Sequence, residues 1–169
     1  MSKRIEEEWN AENEKFMKEL SNQCSEQSQR HAEAGYVFKQ KNTTWGLPMV
    51  LLPVIMSPVS LLIQDEEASV YINALAFLAT GVVGGVYSFF KYGEKMTNHF
   101  NYSGRYADIV SDIELELKRG PEFRTTWDVF STKIHMRMDN LASTEPVLPK
   151  NISNKSYKKI QTDVANILV

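Results

Sequence analysis

The sequence predicts an all-α fold in which a two-span transmembrane helical hairpin is joined to a cytosolic bundle of long amphipathic helices. Two uncharged apolar runs, Trp45 to Ile63 and Val70 to Phe90, are each long enough to cross a bilayer as a helix. Only QDEEAS separates them, which makes them antiparallel neighbours. The flanking segments are charged, yet they carry apolar residues at three- and four-residue spacings, the mark of helices packed on helices.

Of the 169 residues, 43% are apolar and the formal charge is −2, ordinary values for one modest globular domain. These averages hide a segregation, because the apolar residues concentrate between Leu47 and Phe90. The lone Cys24 has no disulfide partner and no neighbouring Cys or His at metal-ligand spacing. A long polar segment precedes the first apolar run, so a cleavable signal peptide is not expected and the spans stay in the mature chain.

Residues 1–43 form the first amphipathic helix. From Ile5 to Lys41 there is no proline and one glycine, and Trp9, Phe16, Leu20, Cys24, His31, Ala34 and Phe38 share a broad stripe. Residues 44–64 are span 1, about 28 Å of helix. Pro48, Pro53 and Pro58 interrupt it. Each removes a backbone donor and crowds the preceding turn, so the expectation is a kinked span packed on protein on at least one side. Ser57 and Ser60 are candidate partners for the freed carbonyls.

Residues 65–69 make an acidic turn and residues 70–90 span 2, about 31 Å long. Arg30, Lys39 and Lys41 precede the first span and Lys91, Lys95 and Arg105 follow the second, whereas the loop holds Asp65, Glu66 and Glu67. Cationic residues near span ends stay on the cytoplasmic side, which puts both termini there in a multi-pass protein. Glycosylation at the sequons of Asn42, Asn101 or Asn151 would require the opposite orientation. A buried helical hairpin in a soluble protein is the alternative, but the rest of the chain has too little apolar surface to enclose two such helices.

Residues 91–119 are expected as a stalk helix continuous with span 2. Tyr92, Met96, His99, Ser103, Tyr106, Val110, Ile113 and Leu117 form its seam, with Glu94, Lys95, Arg105, Asp108, Asp112, Glu114 and Glu116 on the solvated side. Gly120 and Pro121 end it. Residues 121–142 form a returning helix with Phe123, Trp127, Phe130, Ile134, Met138 and Leu141 facing inward. Residues 143–169 are a loop and a short basic tail helix, with Tyr157, Ile160, Val164 and Ile167 on one side and Lys155, Lys158 and Lys159 on the other.

The succession of a polar helix, a two-span hairpin and FFKYGEKMTNHFNYSGRYADIVSDIELEL resembles the SLATT domain, a two-transmembrane effector module of bacterial nucleotide-signalling conflict systems also seen in large DNA viruses. The resemblance covers roughly Phe16 to Pro149. It rests on Lys91, Lys95, His99, Arg105 and Tyr106 in the stalk, on DIELEL, and on the Trp127 helix ending near PVLP. It implies an oligomeric effector that perforates or depolarises a membrane when a partner senses infection.

Catalysis is not expected. His31, His99 and His135 fall on three separate helices, and no nucleophile has a recognisable base partner. His99 faces the seam, either as a satisfied interhelical residue or as a pH-sensitive latch. In span 2, the pair Gly81 and Gly85 and the ladder Ala76, Thr80, Gly84 and Ser88 allow close helix packing, against either span 1 or another subunit. Asn73, Thr80, Gly84 and Ser88 share an arc that would line a narrow polar path in an assembly, with Asp65, Glu66 and Glu67 at its outer mouth.

The functional expectation is an oligomeric channel or pore-forming effector. The alternative is a hairpin-anchored structural or scaffold protein, viral among other settings, whose bundle binds partners. The expected partners are the lipid bilayer, further copies of the chain and a sensor or scaffold protein. No cofactor, metal or nucleic acid is expected.

Overall fold

The computed structural model describes residues 9–152, apart from the side chains of Ser60 and Leu61. The tail helix expected from Tyr157 to Ile167, the helix start at Ile5 and the Ser60 hydroxyl lie outside what is described. Among the described residues all regular structure is helical: α1 (Ala11–Leu62), α2 (Glu66–Phe90), α3 (Tyr92–Lys118) and α4 (Trp127–Thr144), with a 3-10 turn at Pro121–Phe123. The chain divides into two compact units, one holding the residues up to Ala34 and from Asn98 onward, the other Gly35–Thr97.

The first unit is a three-helix bundle of the first part of α1, most of α3, and α4. Met17, Leu20 and Cys24 from α1 meet Tyr106, Ile109 and Ile113 from α3 and Phe130, Ile134 and Leu141 from α4 in one core. The spacings of the sequence place most of these residues correctly, but the stripes are rotated in places. Met17 is fully buried where Phe16 was expected, and Phe16 is 40% exposed. Ile109 joins the core of α3. Phe123 is exposed, because Gly120 and Pro121 lead into a 3-10 turn and α4 starts only at Trp127.

The connection between α3 and α4 is closed by polar groups. Glu116, expected on the solvated face, is buried; it accepts from the Thr125 backbone N–H and from Arg119 Nη1 at 2.9 Å. A buried carboxylate is tolerated only with such donors. Arg124 donates to Glu14 at 2.6 Å and to the Leu117 carbonyl at 2.9 Å, and lies 5.3 Å from the Trp9 ring centre. The hydrogen bond from Arg124 holds the Glu14 carboxyl below the usual range. Trp9 in turn donates its indole N–H to the Thr125 carbonyl at 2.8 Å and packs edge-on against Trp127.

The second unit is an antiparallel hairpin. α1 stays α-helical through Pro48, Pro53 and Pro58. The turn is shorter than expected. Asp65 is the N-cap of α2, accepting from the N–H groups of Glu67 at 3.0 Å and Ala68 at 3.3 Å, so Glu66 and Glu67 form the first helical turn. Carboxylates there complement the positive end of the helix dipole, which is why α2 begins at Glu66 and not at Val70.

The expected continuity of span 2 with the stalk is broken at one residue. Lys91 has φ 47° and ψ 46°, a left-handed conformation that ends α2 at Phe90 and lets α3 start at Tyr92. Its N–H still donates to the Tyr87 carbonyl at 3.2 Å, and its carbonyl accepts from the Lys95 N–H at 3.1 Å.

Of the glycines the sequence singles out, only Gly84 lies where the hairpin helices approach, and the closer contacts are at Gly46 and Gly93. A Cβ on Gly46 would lie 3.2 Å from the Tyr87 ring, one on Gly93 3.1 Å from Asn42 Oδ1, and one on Gly84 3.7 Å from Met49 Cε. At Gly81 and Gly85 a Cβ would meet nothing within 4 Å. The GxxxG pair therefore lies on an open side of α2, and only Gly84 of the small residues from Gly81 to Gly85 faces α1. Gly46→Leu should destabilise the hairpin by about 1–3 kcal/mol through overpacking against Tyr87, whereas Gly81→Leu should leave the monomer's stability unchanged; thermal unfolding followed by circular dichroism in detergent checks both.

Candidate functional site

The most unusual chemistry among the described residues lies inside the three-helix unit. On α1, His31 continues the inward stripe of Cys24 and Ala34. On α3, His99, Tyr102 and Tyr106 follow at spacings of three and four, so their rings come to one face. α4 ends at Thr144, and the extended backbone of Glu145 (φ −62°, ψ 128°) marks where helix gives way to loop.

These residues form a chain of hydrogen bonds. His31 Nδ1 lies 2.9 Å from His99 Nδ1, and His31 Nε2 lies 2.6 Å from Glu145 Oε1. Tyr106 donates its hydroxyl to Glu145 Oε2 at 3.3 Å. Tyr102 donates to the Thr144 carbonyl at 2.6 Å, which fixes the end of α4 beside the cluster. The His31 ring stacks on Tyr106 at 5.9 Å between centres and 16° between planes. His31 is 0% and His99 2% exposed, while the Glu145 side chain keeps 27% exposure and is the group that reaches solvent.

The proton positions follow from the acceptors. An ionised Glu145 only accepts, so His31 carries a proton on Nε2; in a neutral ring that leaves His31 Nδ1 as acceptor for a proton on His99 Nδ1. One extra proton can be accommodated by exchanging donor and acceptor across the Nδ1 pair. A second would set two N–H groups against each other at 2.9 Å. Burial first, and then repulsion from a protonated His31, bring the His99 pKa down to about 4, with Glu145 opposing both. Burial, followed by the Glu145 charge and hydrogen bond, raises the Tyr106 hydroxyl to about 12, so it remains a donor.

Sequence spacing puts His31 and His99 on inward faces but does not bring them together, and Glu145 sits in a stretch expected only as a loop. The signals available were two histidines on the apolar stripes of adjacent helices and Tyr106 on the same seam as His99, placed to hydrogen-bond across the bundle as it does to Glu145. His135, the third, packs beside Phe16 at 6.0 Å between ring centres, away from this cluster. Arg105 is exposed and lies 5.6 Å from the Tyr102 ring centre. Among the described residues, no three His, Cys, Asp or Glu side chains gather as a metal site.

The residues expected to line a polar path are distributed over two sides of α2. Asn73, Ala76, Thr80 and Gly84 are partly covered, and Gly84 contacts Met49 of α1. Thr80 donates its hydroxyl to the Ala76 carbonyl at 2.8 Å, as a threonine does when no outside partner is offered. Ser88 is exposed with Gly81 and Gly85. Asp65 caps α2, and Glu66 and Glu67 stand exposed beside it.

Comparison with protein-family models, with curated proteins and with solved structures finds no match to this chain.

The pH dependence follows from the sign of the His99 shift. Its folded pKa is depressed below 6.5, so the unfolded chain binds the proton more tightly and stability present above pH 6.5 is lost as pH falls towards 4. Chemical denaturation between pH 7.5 and 4.5 should show a loss on the order of 3 kcal/mol from this group. His99→Gln should flatten that part of the profile even though its stability at pH 7.5 is lower.

Proposed function

We propose that the chain is an integral membrane protein whose Gly35–Thr97 hairpin crosses the bilayer twice and whose assembly forms a channel or pore. One observation carries this reading: no residue of the 25-residue helix α2 is buried, although it is apolar along most of its length. Leu75, Phe77, Leu78, Val82 and Phe89 are 65%, 77%, 66%, 59% and 81% exposed. Among the described residues, the helical stretch Glu66–Lys118 is long and apolar enough to cross a membrane, and its apolar window is wholly unburied.

The second crossing is the run from Trp45 in α1. It too presents apolar side chains outward, with Val50 and Val54 each 64% exposed and Ile55 54%. Its prolines suit a span packed along one side, as the Gly46 and Met49 contacts with α2 supply. Lysines at one end of the hairpin and carboxylates at the other support termini on the cytoplasmic side. The open Gly81 and Gly85 side receives another subunit, because small residues permit the close approach on which helix association in lipid depends. Ser88 on that side, with the partly covered Asn73 and Thr80, supplies polar groups to a path through the assembly.

The resemblance to SLATT effectors agrees with this reading and adds a trigger delivered by a sensor protein. A scaffold is the second reading. It draws on a shallow apolar face of α4 lined by Val129, Thr132 and Met136, with Val129 and Met136 60% and 68% exposed.

Ion flux decides between them. Wild-type protein reconstituted in liposomes should conduct, and Thr80→Leu should lower the flux at least tenfold without changing the amount inserted. Sealed liposomes containing correctly inserted wild-type protein would refute the pore and leave the scaffold.

A further inference from the structure

The end of the hairpin opposite the Asp65 turn carries an arrangement of cations that neither spanning nor assembly requires. Within Gly35–Thr97 the basic residues are Lys39, Lys41, Lys91 and Lys95, and the only acid among positions 35–45 and 87–97 is Glu94. Glu94 lies 3.5 Å from Lys91, with both side chains mostly exposed. Lys39, Lys41 and Lys95 are exposed and make no ion pair with a carboxylate among the described residues.

What holds these ammonium groups is aromatic. Lys41 Nζ lies 5.8 Å from the Phe38 ring centre and 5.9 Å from that of Tyr92. Lys95 Nζ lies 5.9 Å from the same Phe38 ring. A cation from α1 and a cation from α3 thus converge on one phenyl group. Lys39 Nζ stands 6.0 Å from Tyr36. Phe90 stacks on Tyr92 at 5.4 Å and 8°, which steadies the platform under Lys41. A ring face orients an ammonium without neutralising it, so its N–H donors remain for an anion.

The position of this cluster determines which anion fits. Phe89 and Phe90, 81% and 41% exposed, close the apolar length of α2 immediately before Lys91, and Trp45, 36% exposed, opens that of α1. Aromatic rings followed by lysines mark the depth at which hydrocarbon gives way to phosphate. We infer that Lys41 and Lys95, seated on Phe38 and Tyr92, bind the headgroup phosphate of an anionic phospholipid in the cytoplasmic leaflet. The inference rests on the membrane reading proposed above and names a lipid partner for it. The lipid supplies both features that the surface displays: a phosphate for the converging cations and acyl chains for the apolar face beside it.

The test uses full-length protein in nanodiscs of phosphatidylcholine containing one fifth phosphatidylglycerol, with the lipids retained after mild detergent extraction identified by mass spectrometry. Wild type should retain phosphatidylglycerol at least fivefold above its share. Lys41→Gln/Lys95→Gln should abolish that enrichment, Lys41→Arg/Lys95→Arg should keep most of it, and Lys15→Gln/Lys118→Gln should not change it. No enrichment with wild type, or equal enrichment with the glutamine pair, would overturn the inference while leaving the spans in place. Failure of wild type to enter nanodiscs at all would instead overturn the membrane reading. Loss of the enrichment in millimolar glycerol 3-phosphate would mean that the site takes a free phosphate, which also overturns it.

Discussion

A single helix of 52 residues changes the character of its surface part-way along, and this constraint governs the rest of the molecule. Backbone hydrogen bonding runs along α1 without regard to solvent, so the change is made entirely by side chains. Near its start, Met17 and Cys24 are completely buried among residues of α3 and α4. Farther along, Val50, Val54 and Ile55 point outward with more than half their surface free. Burial of a side chain of that size in an apolar medium is worth about 1.5–3 kcal/mol, so a series left in water would forgo that stabilisation. An apolar surrounding would supply it without altering any internal contact.

The bundle solves a different problem, which is how to close three helices around polar groups. Its apolar core is small, and the ends of the helices are fixed by charge and hydrogen bonding. Arg124 binds Glu14 and the Leu117 carbonyl near one connection, and Glu145 binds His31 and Tyr106 after α4. Each network holds a loop residue against two helices. Buried polar groups are costly when unpaired, so they favour one arrangement of the loops over alternatives that the apolar residues alone would tolerate. The histidine pair also makes that choice depend on proton concentration, because a second added proton would leave two N–H groups facing each other with no acceptor between them.

Much of the architecture was legible in periodicity and composition, and the particular failures have physical causes. Helix existence, the uncharged runs and the inward faces of α3 and α4 follow from spacing alone. Met17 displaced Phe16 because both lie near the inward stripe, and only the neighbouring helices decide which is covered. Glu116 was assigned to solvent because a sequence shows charge but not the Thr125 N–H that satisfies it. Gly81 and Gly85 match a packing motif, yet a motif does not specify which side of α2 meets α1; Gly46 and Gly93, with no motif, make the closer approaches. The histidine cluster was half legible, since both rings were placed on inward faces, while Glu145 depends on a loop path that no periodicity encodes.

The left-handed Lys91 explains how the chain passes from α2 into α3. In an unbroken helix residues three apart lie on neighbouring parts of one face, so Phe89 and Tyr92 would share a surrounding. They do not: Phe89 is 81% exposed and Tyr92 9%. The break at Lys91 resets the phase between them, and Tyr92 can pack while Phe89 faces outward. A non-glycine residue in this conformation costs about 1–2 kcal/mol, which glycine would avoid. Lysine has two compensating properties at this position. Its charge complements the negative end of the α2 dipole, and its side chain places a cation where the apolar surface stops. The conformation and the residue type therefore serve separate ends, one geometric and one electrostatic, at the same point in the chain.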